Sequence, residues 1–383
     1  MKYDVVVVGA RAAGAATAHL LARHGLSVLL LDRSRYGSDT LSTHALMRGG
    51  VLQLQRWGLL ERVVAAGTPP VRRVTFRYAG EVVPIEIKPS YGVDTLYAPR
   101  RTVLDPILVD AASNAGADVR FGVAVTDVVR DRRGVINGVV GRTRDGSAFR
   151  ADARIVVGAD GIRSTIADRV GAAVQRIGTG ASATTYGYWP GLGVDGYEWD
   201  YRPNAASGVI PTNDDQACVF ASAVPSRIGR GGLDTLLSIV AKSNPKLAER
   251  LAAEPPPPMR TFTGLPGYVR RSWGSGWVLA GDAGYYKDPL SAHGLTDALR
   301  DAELLARAIA AILLAGADEC DALADYQATR DALSTTLFDI TDAIAGHRWS
   351  DDQIGDLLLQ LNAAMSEELD MLAELPALTL CTT

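Results

Sequence analysis

The sequence predicts an α/β fold, in which a parallel-sheet domain carries an inserted β-rich domain and is followed by a helical C-terminal segment. Three observations predict it. Asp4 to Val8 is a β-branched run that leads through a glycine turn into a helix pattern and then a second apolar run, Leu26 to Leu31, which is the order of a βαβ unit. Residues 71–87 alternate apolar and polar side chains, as antiparallel strands do. After Trp277 to Ala280, another apolar run, the pattern is almost entirely helical.

The composition excludes several classes of protein. The 383 residues are 47% hydrophobic with a net charge of -4, which gives no broad attraction to nucleic acid. Cys218, Cys320 and Cys381 are too scattered for a zinc site or a disulfide framework. The most apolar helical stretch, Leu304 to Ala317, is interrupted by Arg307 and is too short to span a membrane. Because a strand pattern occupies the first eight residues, we expect no signal peptide and a cytoplasmic protein.

Further elements follow in chain order. Apart from the three apolar strands, the patterns predict a hairpin turning at Ala79-Gly80, short strands and glycine turns over 119–148, a buried strand at 153–157 and short strands over 174–223. They predict helices over Ala12–His24, Arg48–Trp57, Thr102–Ala115 and Leu295–Leu313. We expect the parallel-sheet domain to be discontinuous, over residues 1–70, 96–171 and 272–383, and the β-rich domain to occupy residues 71–95 and 172–271.

The first turn has most of a dinucleotide-binding fingerprint. Gly9 and Gly14 take the places of its first and third glycines, but Arg11 replaces the middle one. A helix that starts at such a turn offers free N–H groups and a positive dipole end to a pyrophosphate. Asp32 lies 18 residues after Gly14, at the end of the next strand, where an acidic residue accepts hydrogen bonds from a ribose. Arg11 is compatible with this reading if its side chain turns outward. The alternative is a βαβ turn without a ligand.

Two later stretches place an aspartate at a strand end. In "VVGADGIRST" an apolar run ends at Gly158 and is followed by Asp160, and in "WVLAGDAGYY" Asp282 has the same position. Ligands bind at the carboxyl ends of strands in open α/β sheets. The three turns therefore predict one shared site.

Together these stretches resemble the aromatic-hydroxylase family of FAD-dependent monooxygenases, the p-hydroxybenzoate hydroxylase type. "GADGIRS" matches its DG motif, "GDA" matches its GD motif, and "RRTVLDPIL" matches its helix start, across nearly the whole chain. The resemblance implies a Rossmann-type FAD-binding domain and a β-rich substrate domain. It implies cofactor contacts from Gly9, Arg11, Ala12, Ala13, Gly14, Asp32, Arg33, Thr43, Arg101, Val125, Asp160, Gly281, Asp282, Ala292, Gly294 and Leu295.

The chain departs from the family at the loop after the GD motif. The family reads Pro-x-x-Gly-x-Gly, whereas this chain has Ala292 in place of the first glycine, between Pro289 and Gly294. The family's Ala-His pair is Gly284-Tyr285 here. We expect FAD binding to survive these changes.

The resemblance implies a reaction that needs little side-chain chemistry. NADH or NADPH, bound transiently, reduces the flavin, O2 forms a C4a-hydroperoxide, and an aromatic or polycyclic small molecule is hydroxylated or epoxidised. The helix from Leu295 would point its N-terminus at the electron-rich end of the flavin ring. Pro289 and His293, in the loop before this helix, are the candidate catalytic residues. The alternative for His293 is a ring that merely packs in the loop.

Other polar and aromatic side chains are left with two interpretations. Lys287 and Tyr285 face either a ligand or solvent. His44 lies in the segment that runs beneath the flavin in similar enzymes, whereas we interpret His19, His24 and His347 as structural. A group of aromatic residues either lines a substrate pocket or forms sheet core: Tyr186, Tyr188, Trp189, Tyr197, Trp199 and Tyr201.

The C-terminal stretch 351–375 predicts an amphipathic helix, with apolar residues at Ile354, Leu358, Leu361, Met365 and Leu372. We expect it to pack on the FAD-binding domain, with a dimer seam as the alternative. The protein would then be a monomer or a homodimer.

Three other functions compete with the monooxygenase. Geranylgeranyl reductases share the fold, so a reductase or dehydrogenase that inserts no oxygen is the main alternative. A flavin halogenase is disfavoured because the chain lacks a Trp-x-Trp-x-Ile-Pro motif. A non-catalytic nucleotide-binding protein is supported only by Arg11 and Ala292.

Overall fold

The computed structural model describes residues 2–376, which form eleven α-helices and eighteen strands. The helices are α1 Ala12–Arg23, α2 Arg48–Arg56, α3 Leu60–Ala65, α4 Arg101–Asn114, α5 Thr165–Val170, α6 Pro225–Ile228, α7 Leu233–Ser243, α8 Pro245–Ala253, α9 Gly294–Ala315, α10 Glu319–Ala345 and α11 Asp351–Glu374. The strands are β1 Lys2–Val8, β2 Val28–Asp32, β3 Arg73–Tyr78, β4 Glu81–Glu86, β5 Asp118–Phe121, β6 Val123–Arg130, β7 Ile136–Thr143, β8 Ala148–Gly158, β9 Val174–Ile177, β10 Ala183–Pro190, β11 Tyr197–Arg202, β12 Ala205–Thr212, β13 Gln216–Ala223, β14 Arg260–Phe262, β15 Tyr268–Arg270, β16 Trp273–Gly274, β17 Trp277–Leu279 and β18 Tyr285–Tyr286.

The first sheet is built around the four apolar runs that the sequence singles out. Its order is β16-β17-β8-β1-β2-β5, and β17, β8, β1, β2 and β5 run parallel. Gly158 pairs with both Val8 and Leu279, so β8 ends between the ends of β1 and β17. The three turns that carry the glycine and aspartate motifs therefore leave the sheet at one edge.

A second sheet of seven strands, in the order β14-β10-β13-β12-β11-β3-β4, is antiparallel except where β3 pairs with β11. The hairpin β3–β4 turns at Ala79 and Gly80, which have φ of 53° and 81°, as expected from the alternating pattern. One face of this sheet packs against α6, α7 and α8, and the other faces α10 and α11. A third, small sheet joins β18, β15 and β9.

The helices cover the first sheet and connect it with the second. α1 packs between α4 and α9, and its burial is almost complete because it is rich in alanine. The C-terminal helix α11 packs on α2 and α10 and also contacts β3 and β11, so it contacts strands of the second sheet as well as helices of the first. The predicted α/β fold, with its β-rich region and helical C-terminal segment, is confirmed.

The helices and cysteines of residues 2–376 bear on two expectations from the sequence, one about membrane spans and one about disulfides. No helix between residues 2 and 376 is both long and apolar enough to cross a membrane. Cys218 is buried, Cys320 is exposed and neither forms a disulfide. Cys381 lies outside the described residues.

Candidate functional site

The turn between β1 and α1 requires both of its glycines. Gly9 has φ of 105°, and a Cβ there would lie 2.3 Å from the carbonyl oxygen of Ala159. A Cβ on Gly14 would lie 1.8 Å from the carbonyl oxygen of Gly9. Both positions are closed to any larger residue, because the turn, the first turn of α1 and the end of β8 are in direct contact.

The start of α1 is open to an anion. No side chain caps its first N–H groups, and its first turn contains no acidic residue. Ala12 and Ala13, which are buried, have side chains too small to block an approach to the backbone. Uncapped N–H groups at the positive end of a helix bind phosphate groups, so this turn fits the pyrophosphate of a dinucleotide.

Arg11 points its side chain toward α4. Its Nη1 lies 2.9 Å from Oδ2 of Asp105, and its Nη2 donates to Oγ of Ser38 at 3.1 Å. The other carboxylate oxygen of Asp105 accepts from Nε of Arg101 at 2.9 Å. The arginine that replaces the middle glycine therefore leaves its own backbone free to approach a ligand.

Asp32 lies at the end of β2, buried, and stabilises the neighbouring turns. Its Oδ2 accepts from the N–H of Ala10 at 2.7 Å, and its Oδ1 accepts from both the N–H and the hydroxyl of Ser34. Ala10 and Ser34 line a small cleft together with Arg11 and Tyr36. Arg33 is exposed. A carboxylate that binds two of the residues lining this cleft, and that has a lone pair to spare, fits a ribose hydroxyl.

The aspartate of the DG segment caps a helix. Asp160 accepts from the N–H of Thr165 at 2.7 Å and from the hydroxyl of Ser164, so it stabilises the start of α5. Burial raises the pKa of Asp160, although these hydrogen bonds oppose the shift. Gly161 follows with φ of 81°. The predicted contact of Asp160 with the cofactor remains a prediction.

The GD segment lies against the first turn of α1. Gly281 has φ of 58°, and a Cβ there would lie 3.0 Å from Cβ of Ala13. Its N–H donates to Oδ2 of Asp301 on α9 at 3.0 Å. Burial raises the pKa of Asp282 to about 6, against the opposing charges of Lys287 and Arg101. The first turn of α1, the GD segment and the first turn of α9 therefore lie together at one edge of the first sheet, and we call this region the cofactor cleft.

The start of α9 faces open space. A Cβ on Gly294 would meet no atom within 4 Å, and no side chain caps the helix. Leu295 is buried, and Pro289 begins a single 3₁₀ turn that Asp288 caps through the N–H of Leu290. Ala292, where the family has glycine, adopts φ of 52°. The loop therefore keeps a left-handed backbone without a glycine.

His293 is buried at the N-terminal end of α9, beside the cofactor cleft. It is 1% exposed, and its Nε2 lies 2.5 Å from Oε2 of Glu368 on α11. Burial lowers the pKa of His293, and Lys287 and Arg300 act in the same direction, whereas Glu368 opposes the shift.

Six buried side chains form what we call the α9–α11 charge cluster. Arg300 is completely buried and donates to Asp297, Asp301 and Glu368. Lys287 forms an ion pair with Asp297. Opposite charges that pair in this way offset part of the cost of their burial. The members are Lys287, His293, Asp297, Arg300, Asp301 and Glu368.

Part of this cluster could offer ligand atoms to a metal. One atom from each of His293, Asp297 and Glu368 lies within 4.8 Å of the others. However, Lys287 already pairs with Asp297, and Arg300 pairs with both carboxylates. A divalent cation would have to displace two cations, so the cluster is better matched to internal ion pairing.

Sequence reasoning missed Glu368 and Arg300, although a signal for Glu368 was present. Glu368 lies seven residues after Leu361 and four before Leu372, which places it on the buried face of α11. An acidic residue in an apolar stripe needs a buried partner. Lys287 and Tyr285, whose environment the sequence left open, are both buried.

Most of the aromatic group forms the core of the second sheet. Tyr186, Trp189, Tyr197, Trp199 and Tyr201 are all buried. Their large rings fill the space between the sheet and its neighbouring helices.

Tyr188 differs, since it is only half-buried. His44 stacks on its ring and lies 2.9 Å from its hydroxyl, and the guanidinium of Arg100 lies 3.7 Å from its ring centre. Asp39 accepts from Arg100 and pairs with Arg260. We call Asp39, His44, Arg100, Tyr188 and Arg260 the polar aromatic surface. Burial lowers the pKa of His44 to about 3, and Arg100 and Arg101 act in the same direction.

The remaining predicted residues lie at the margins of the site. Thr43 is half-buried beside His44, in the segment that joins the two sheets. Val125 is half-buried on β6 and packs against the core on the other side of the first sheet. Their contacts with a cofactor remain predictions.

Comparisons with known proteins identify the family of this chain. Two curated relatives have different activities. A digeranylgeranylglycerophospholipid reductase of Methanocella arvoryzae is 28% identical, covering 88% of this chain and 85% of the relative. A tetracenomycin B2 monooxygenase-dioxygenase of Streptomyces olivaceus is 27% identical, covering 94% of this chain and 72% of the relative. The solved structure of the flavin-dependent brominase Bmp2 matches with a TM-score of 0.81 and 18% identity, covering 97% of this chain and 94% of that chain, which shows the fold.

A family model described as an FAD binding domain matches residues 2–341, and these contain the β1–α1 turn, the DG and GD segments and the start of α9. The protein is therefore an FAD-dependent oxidoreductase by family, and this chain belongs to the family defined by that FAD binding domain.

Proposed function

We propose that this protein is a monooxygenase that uses FAD, NAD(P)H and O2 to oxidise an aromatic or polycyclic small molecule. The proposal has two parts, a cofactor site along the edge of the first sheet and a substrate site beside the second. In this proposal residues 71–95 and 172–271 supply the substrate-binding domain.

The cofactor cleft has the donors that FAD needs. The uncapped start of α1 and the space kept free by Gly9 and Gly14 suit the pyrophosphate. Asp32 suits the ribose of the adenosine half. The uncapped N–H groups of Gly294 and Leu295, at the positive end of α9, suit the electron-rich end of the flavin ring.

The polar aromatic surface is the observation that carries the choice of substrate. Tyr188 is half-buried, the guanidinium of Arg100 lies over its ring, and His44 stacks on it with Nε2 2.9 Å from its hydroxyl. Such a surface suits edge-to-face contact with a flat ring and hydrogen bonds to a phenolic or carboxylate oxygen. It is compact and polar, which suits an aromatic molecule better than a long prenyl chain.

The residues of this chain supply binding and orientation rather than acid-base chemistry. Bound FAD would supply the redox and oxygen chemistry. His44 stays neutral at physiological pH because burial lowers its pKa to about 3, so it can exchange a hydrogen bond with the Tyr188 hydroxyl without a change in charge. The aromatic core behind Tyr188 keeps water from that side of the site.

A direct test uses purified protein loaded with FAD and a panel of phenols, aromatic acids and polycyclic phenols. NADH and NADPH consumption is measured with each compound, followed by mass spectrometry of products formed under ¹⁸O2. We expect one compound to stimulate consumption and to gain one ¹⁸O atom. Tyr188→Phe should raise KM for that compound, whereas Tyr91→Phe, at an exposed tyrosine, should not. Turnover without ¹⁸O in any product contradicts the proposal.

A second candidate is a reductase of prenyl double bonds. The reductase of Methanocella arvoryzae, at 28% identity over most of both chains, favours it. This candidate predicts that FAD-loaded protein, reduced with dithionite under argon, saturates double bonds of a geranylgeranyl lipid. The monooxygenase predicts no product without O2, so the two outcomes are mutually exclusive for one substrate.

A further inference from the structure

Glu368 on α11 contacts the one histidine next to the start of α9. Its Oε2 lies 2.5 Å from Nε2 of His293, and its Oε1 accepts from Nη1 of Arg300 at 2.7 Å. Both His293 and Glu368 are 1% exposed. The carboxylate therefore has one oxygen held by an arginine and the other directed at the imidazole ring.

The charges around His293 determine which ring nitrogen carries a proton. Burial, Lys287 and Arg300 lower the pKa of His293, which favours a neutral ring. Burial alone would raise the pKa of Glu368, but His293 and Arg300 hold it well below its usual range. A charged carboxylate accepts but cannot donate, so the neutral ring carries its proton on Nε2 and donates it to Glu368. Asp297, 3.9 Å from Nε2, also faces this nitrogen.

The second ring nitrogen is then an acceptor without a donor. Nδ1 of His293 is buried and has no hydrogen-bond partner among residues 2–376. His293 directly precedes Gly294, the first residue of α9, where a Cβ would meet open space. A buried lone pair beside the cofactor cleft calls for a donor from a bound molecule.

We propose that Glu368 is a positioning residue, which holds His293 as the Nε2–H tautomer so that Nδ1 accepts a hydrogen bond from bound FAD. The inference rests on the proposed cofactor cleft. Glu368 lies 75 positions from His293 in the sequence. Through this residue the C-terminal helix would help to shape the flavin site. Glu368→Gln tests it because glutamine keeps the shape of the side chain but can donate to Nε2, which would move the ring proton to Nδ1.

The tautomer can be measured without any activity. Protein labelled with ¹⁵N-histidine gives imidazole correlation spectra, in which His293→Gln identifies the His293 signal among five histidines. We expect a protonated Nε2 and an unprotonated Nδ1 in the wild type, and the reverse in Glu368→Gln. Glu303→Gln is the matched control, because Glu303 is a buried carboxylate on α9 that binds Arg307 and Trp57 but not His293. The control should keep the wild-type tautomer.

The second readout is the addition of FAD to apoprotein. We expect the Nδ1 signal of His293 to shift on binding, and Kd for FAD to rise roughly tenfold in Glu368→Gln but less than about twofold in Glu303→Gln. A protonated Nδ1 in the wild type, or an Nδ1 signal that bound FAD leaves unchanged, overturns the inference, even if Glu368→Gln does not fold. Failure of the proposed cofactor site would look different, since the protein would then bind no FAD at all.

Discussion

Arg11 and Asp105 are joined by an ion pair of 2.9 Å between the β1–α1 turn and α4. Asp105 also forms an ion pair of 2.9 Å with Arg101. One carboxylate therefore binds both Arg11, which replaces a glycine of the fingerprint, and Arg101, which the family resemblance implies as an FAD contact. The arginine is therefore accommodated by a partner on another helix, and its side chain leaves the backbone of residue 11 accessible to a ligand.

The first prediction separates the roles of these two arginines. Arg11→Gly should leave Kd for FAD within about threefold and lower the free energy of unfolding by only about 0.5–1 kcal/mol, because the Arg11 side chain is 27% exposed. Arg101→Ala should weaken FAD binding by about tenfold or more. Fluorescence titration of the apoproteins with FAD measures both. If Arg11→Gly binds FAD as poorly as Arg101→Ala, the Arg11 guanidinium itself contacts the phosphates.

Much of the fold could be predicted because the information was local. The apolar runs became β1, β2, β8 and β17, although β8 begins five residues before the predicted run at 153–157. The alternating stretch became the hairpin β3–β4, with its ends within two residues of the prediction. Glycines at strand ends also predicted where the turns meet, since parallel strands deliver their carboxyl ends to the same edge.

The charge cluster and the polar aromatic surface could not be predicted in this way. His293 and Glu368 meet only because α11 docks beside α9, and no local pattern encodes that docking. The aromatic group was ambiguous because both faces of the second sheet are covered, so alternation cannot tell core from cavity. The structure distinguishes core residues from exposed ones: Tyr186 is buried in the core, whereas Tyr188 is partly exposed.

The second prediction compares two glycines in the cofactor cleft. A Cβ on Gly14 would overlap the carbonyl of Gly9, so Gly14→Ala should lower the free energy of unfolding by about 2–3 kcal/mol and abolish FAD binding. Gly294→Ala should leave stability unchanged or raise it by up to about 1 kcal/mol, because its Cβ meets no atom and alanine favours a helix. Urea unfolding and FAD titration measure both. If Gly14→Ala is as stable as the wild type, the close packing of the turn is wrong.

The third prediction concerns Ala292, which has φ of 52° where the family has glycine. An alanine in this region carries a steric cost that glycine lacks. Ala292→Gly should therefore raise the free energy of unfolding by about 0.5–1 kcal/mol despite the greater freedom of glycine in the unfolded chain. Thermal and urea unfolding check this, with Ala298→Gly, inside α9, as a control that should destabilise by about 1 kcal/mol or more. A destabilised Ala292→Gly would mean that residue 292 is not left-handed in solution.

The fourth prediction is a loss of stability in mild acid that originates at His347. This residue is 1% exposed, its Nε2 lies 3.0 Å from the hydroxyl of Ser182, and its Nδ1 has no partner in the described part of the chain. Burial, and to a lesser degree Arg227, lowers the pKa of His347 to about 4, whereas the unfolded chain keeps the ordinary value near 6.5. Between these values the unfolded state binds a proton that the folded state does not, so stability is fully present above pH 6.5 and falls as the pH drops toward 4. The slope from this residue should approach about 1.4 kcal/mol per pH unit.

His347→Asn removes the titration and tolerates the φ of 52° at this position, so urea unfolding at pH 7 and pH 5 should show a smaller difference in this variant than in the wild type. Equal differences in the two proteins would show that His347 takes up its proton in the folded state, and that its surroundings are not as closed as the structure has them.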